Sequence, residues 1–70
     1  MKTSVVSVSP DVMGGEPVFR GTRVPVQTLL DYLEEGDSIA EFLGGYPSVS
    51  HDQVVAFLRE AKQRLLETVP

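Results

Sequence analysis

The chain has no cysteine and a single histidine, His51, in seventy residues, and this limits its possible folds more than any other feature. A domain of this size buries only about 60% of the surface its unfolded chain exposes. Apolar burial then barely offsets the entropy lost on ordering the chain, and small domains close the gap with a disulfide, a metal or a partner. Without thiols there is no disulfide, and one imidazole makes no zinc site at the usual ligand spacings. The expectation is one domain over residues 1–70, without metal or cofactor, supported by a second copy or another protein. So short a chain does not enclose a catalytic pocket and also fill a core, so it reads as a non-enzyme. No apolar run is long enough to span a membrane and residues 1–4 lack the apolar stretch of a leader, which points to a cytoplasmic, bacterial-style protein.

Charge is uneven. Residues 26–49 hold Asp31, Glu34, Glu35, Asp37 and Glu41 with no lysine or arginine. Residues 1–25 carry a net +1 and residues 50–70 are balanced, so the formal charge of -4 belongs to the middle third. Affinity for duplex DNA rests on neutralising phosphates with Lys and Arg. The balance therefore favours a basic protein partner over nucleic acid.

Turn and cap signals divide the chain into an arm, 1–25, and three helices within 26–67. Val5, Val6 and Val8, then Val18 and Phe19, form two short strand-like runs with a reversal at Gly14-Gly15. A lone hairpin is hardly stable in water, so it must pack on the helices or pair with a second chain. Gly21 predicts a bulge or a close backbone approach. Pro25 suits a first helical position, and Val26, Leu29, Leu30 and Leu33 make one apolar face that stops before Gly36. Ser38 with Glu41 is a capping box opening a short helix that buries Ile39, Phe42 and Leu43 and is ended by Gly44-Gly45. Ser50 with Gln53 repeats the pattern and opens the longest helix, to about residue 67. Val54, Phe57, Leu58, Ala61 and Leu65 share its core face, while Val55 and Leu66 lie about 100–120° away, as core edge or as a partner surface. The expected fold is mainly α, a short N-terminal β-hairpin followed by a three-helix helix-turn-helix domain.

Pro10, the string Gly14-Gly15-Glu16-Pro17-Val18, then Arg20-Gly21-Thr22-Arg23-Val24-Pro25-Val26, Gly36, Tyr46-Pro47 and Ser50 together resemble the small bacterial family catalogued as domain of unknown function 433, described as VapB-like antitoxins. The resemblance implies a hairpin-decorated helix-turn-helix and an antitoxin role against a PIN-like ribonuclease toxin, whose carboxylates gather around divalent metal. Two departures stand out. Glu16 replaces a commonly basic residue, and the Glu60-Ala61-Lys62-Gln63-Arg64 ending replaces an Ala/Tyr-rich tail.

Candidate binding residues follow from this frame. For the toxin they are Arg59, Lys62 and Arg64, with Val55 and Leu66 as apolar flanks; the three cations also complement a helix C-terminus simply by position. For operator DNA they are Ser48, Ser50, His51 and Gln53, with Ala56, at the start of the recognition helix. Gln53 either reads adenine or is held in the cap with Ser50. Arg20 and Arg23 reach outward to phosphate or acidic side chains, or one of them pairs with a carboxylate of the acidic third while Thr22 bonds backbone. Alternation sets Arg20 opposite Phe19, on the outer face. Three functions remain: a dimeric antitoxin that inhibits its toxin and autoregulates its operon, a free-standing helix-turn-helix transcriptional regulator without a toxin, or a structural dimerisation module with neither activity.

Overall fold

The structure, a computed structural model, describes residues 5–68; the reading of residues 1–4 and of Lys2 lies outside them. Two strands, β1 (Val6–Ser7) and β2 (Val18–Phe19), pair antiparallel with Val6 opposite Phe19 and Ser7 opposite Val18. Three helices follow, α1 (Val26–Glu34), α2 (Ile39–Gly45) and α3 (His51–Thr68). The fold is the mainly helical, hairpin-first arrangement expected.

The expected irregularity at Gly21 is a tight turn and not a bulge. The Thr22 N–H donates to the Phe19 carbonyl at 2.9 Å across Arg20-Gly21, and Gly21 has φ +80°, the type II geometry that favours glycine. Thr22 fixes the turn as expected, its hydroxyl donating to the Phe19 carbonyl at 2.8 Å and accepting from the Val24 N–H at 3.0 Å. The chain folds back so that Val18 also bridges Pro25, making β2 the middle of three extended segments. That bridge keeps Pro25 extended, at φ -65° and ψ 140°, so it caps α1 from outside instead of occupying the first helical position.

The buried residues are Val18, Phe19, Val24, Leu29, Phe42, Val49, Val54 and Phe57, without a buried polar side chain among the described residues. All five aromatic residues connect. Phe19 meets Phe57 edge-on at 5.7 Å between centroids and Phe42 at 6.0 Å, and Phe42 meets Tyr32 at 5.5 Å and Tyr46 at 5.1 Å. β2, α1, α2 and α3 each contribute a ring, and Val6 of β1 packs against the same core, which positions α3 against the hairpin. In α1 the inward face is Leu29, Tyr32 and Leu33, and Leu30, expected in the core, is 42% exposed. Both choices fit the 3.6-residue period; Tyr32 wins because the neighbouring rings Phe42 and Tyr46 accept its ring edge-on. Gly36, at φ +91°, stops α1 with the Asp37 N–H donating to the Tyr32 carbonyl and the Gly36 N–H to that of Leu33, a Schellman closure. Gly44 and Gly45 are the last residues of α2, as expected, with Tyr46 as its C-cap.

The capping box of α2 is formed. Ser38 Oγ accepts from the Glu41 N–H at 3.0 Å, and Glu41 Oε1 accepts from the Ser38 N–H at 2.7 Å. The Ser38 backbone N–H first, and the Ser38 side chain after it, hold the Glu41 carboxyl below the usual carboxylate range. A carboxyl depressed in the folded state adds stability that is present above its unfolded pKa and is lost as pH falls through the folded one. Urea unfolding across an acidic pH series should therefore show wild type losing its advantage over Glu41→Gln as pH falls through the carboxylate range. A stability difference that is constant with pH would contradict this.

Candidate functional site

Eighteen residues make α3 about 27 Å long at 1.5 Å per residue. Its first half is fixed to the body. Ser50 and Gln53 form the capping box, with the Ser50 N–H donating to Gln53 Oε1 at 3.0 Å and the Gln53 N–H to Ser50 Oγ at 3.1 Å. Gln53 Nε2 also donates to the Arg20 carbonyl at 2.9 Å, tying α3 to the β2 turn. Val54 and Phe57 fill the core.

Beyond Glu60 the helix outruns its support, and every residue of 61–68 is exposed. Ala61 and Leu65 were expected on the core face and are not buried; Leu65 and Leu66 are each 64% exposed. Periodicity gives the direction of a face but not where the body beneath it ends. At 100° per residue, Val55, Leu58, Arg59, Lys62, Leu65 and Leu66 fall within an arc of about 120°. Their spacing is that of a heptad seam, with apolar positions interrupted by Lys62. The arc contains no carboxylate, and among the described residues neither Arg59 nor Lys62 forms an ion pair.

Four of the five residues expected to meet a toxin, Val55, Arg59, Lys62 and Leu66, thus share one face. Arg64 stands on the opposite side of α3. There, with Ala56, Gln63 and Glu67, it lines an open groove whose far wall includes Val5, and Arg59 and Val55 border that groove as well.

The residues nominated for DNA are less available. Arg20 is exposed on the outer face, as alternation predicts, with its Nη2 donating to the Val6 carbonyl at 3.2 Å. Arg23 is exposed beyond the same turn and forms no ion pair among the described residues, so the expected pairing with the acidic third does not form there. Ser48 and His51 are exposed, Ser50 serves the cap, and Gln53 uses both ends of its amide within the chain. An adenine contact by Gln53 would have to break its bonds to Ser50 and Arg20. Asp52 adds an exposed carboxylate at the same helix end.

Fold and surface together define a small hairpin-and-three-helix domain whose last helix overhangs with an apolar, cationic face. Residues 6–61 match the family model described as protein of unknown function (DUF433), and the chain belongs to that family. It is 40% identical over 50 residues to uncharacterized protein y4eO of Sinorhizobium fredii (strain NBRC 101917 / NGR234), which covers 71% of the chain and 23% of that protein. It is also similar to the crystal structure of a DUF433 member from Anabaena variabilis ATCC 29413, with TM-score 0.73 and 29% identity over 93% of this chain and 64% of that one. The chain thus spans less than a quarter of the first relative and just under two thirds of the second. The family match stops at Ala61, so the overhang, Lys62 and Leu66 included, lies outside it.

Proposed function

We propose that the protein is a non-enzymatic, cytoplasmic antitoxin, a homodimer when free, that binds and inhibits a PIN-like ribonuclease. The observation that carries this is the α3 face that runs from half-buried Val55 and Leu58 onto the overhang, where Arg59 and Lys62 stand with exposed Leu65 and Leu66 and with no carboxylate in the arc. Nucleases of this type work through carboxylates clustered on divalent metal, and a cationic, apolar helix complements such a mouth in both charge and burial. The resemblance of the glycine- and arginine-rich string to VapB-like antitoxins supports the same reading, and no helix among the described residues is long and apolar enough to cross a membrane. The proposal does not extend to operator DNA, because the acidic third opposes phosphate and Gln53 is used internally.

The test mixes the purified protein with the nuclease encoded beside it. Co-elution and suppressed RNA cleavage are expected, with the double variant Arg59→Ala/Lys62→Ala weakening inhibition by about tenfold or more. Separate elution with undiminished cleavage would overturn the reading.

A further inference from the structure

The overhanging face of α3 has a chemical complement elsewhere on the same chain. On α1, Leu30 is 42% exposed between half-buried Val26 and Leu33, and Asp31 and Glu34 are exposed beside it. Residues 26–49 carry five carboxylates and no cation. Asp31 accepts a 2.9 Å bond from Gln27 Nε2, and neither Asp31 nor Glu34 forms an ion pair among the described residues. One helix therefore offers leucines with cations, and another offers a leucine with carboxylates.

We infer that two copies of the chain associate reciprocally, the overhanging α3 face of each lying on the α1 face of the other. Arg59 and Lys62 then meet Asp31 and Glu34, and Leu65 and Leu66 cover Leu30. A single patch of about two helical turns falls short of the roughly 1,200 Å² that stable interfaces bury. A two-fold axis forms it twice and closes the assembly. Pairing α3 with α3 is the less favourable way to cover the same leucines. It would place the Lys62 and Arg59 cations of one copy against those of the other, with no carboxylate in the arc to separate them. The inference does not rest on the nuclease reading, and because both use the α3 face of Arg59 and Lys62, a nuclease bound there takes the place of the second copy. Sedimentation of the protein alone tests this one, and co-elution with the nuclease tests the other.

The experiment is sedimentation equilibrium of the whole chain and of two exposed-site variants, Lys62→Glu and Glu34→Lys, with far-UV circular dichroism to confirm that each is folded. Wild type should be a dimer at micromolar concentration that weakens with salt. Each variant alone places like charges across both contacts and should dissociate about tenfold or more readily. An equimolar mixture of the two should recover the wild-type affinity, because every contact in the mixed dimer again joins opposite charges. A monomeric wild type, or a mixture no tighter than the variants alone, would overturn the proposal. So would tighter association by Lys62→Glu alone, which would indicate α3 pairing with α3.

Discussion

Phe42→Ala is expected to leave the domain without a cooperative fold at room temperature. Phe42 is fully buried and its ring meets those of Phe19, Tyr32 and Tyr46, so truncation opens a cavity where β2, α1 and the turn before α3 converge. Removing a buried phenylalanine costs about 3–5 kcal/mol. The whole core of a domain this small rarely supplies more than about 3–5 kcal/mol. The loss therefore matches the reserve, and far-UV circular dichroism with urea should show a shallow, non-sigmoidal curve. Phe42→Leu, which keeps most of the volume, should retain a transition at lower urea. A sharp transition for Phe42→Ala near the wild-type midpoint, at equal protein concentration, would show that the ring chain does not hold the fold together.

Gln53→Ala is expected to cost about 1–2 kcal/mol, more than most surface substitutions, which fall within about 0.5 kcal/mol. The substitution removes the acceptor for the Ser50 N–H and the donor to the Arg20 carbonyl, the second of which links residues far apart in sequence. Gln53→Glu keeps the acceptor and places a negative charge at a helix N-terminus, which is favourable, but loses the donor. It should fall between wild type and Gln53→Ala in a urea titration. Equal midpoints for all three would mean that these bonds are exchanged for water without loss.

Much of the fold was legible because its punctuation is local. Ser38 with Glu41, Ser50 with Gln53, and Gly36 each act within four residues, and the structure forms the caps and the stop as the spacing implies. Choices that depend on distant neighbours were not legible. Leu30 and Tyr32 fit the same period, and only the rings contributed by Phe42 and Tyr46 decide between them. Pro25 is drawn out of the helix by a bridge to Val18, which no spacing rule encodes. For the candidate site, periodicity placed Val55 and Leu66 off the core face. It also placed Ala61 and Leu65 in a core that ends before reaching them. Gln53 forms the expected cap with Ser50, but its bond to Arg20, a residue 33 positions earlier, is one that no local spacing implies.

Val5, near the first described position, and Glu67, near the last, line the same groove. That groove runs the length of α3, so the start of the hairpin and the end of the last helix border one continuous side of the domain. In the reciprocal pairing of two copies this side stays open to solution, while the acidic face of α1 is covered.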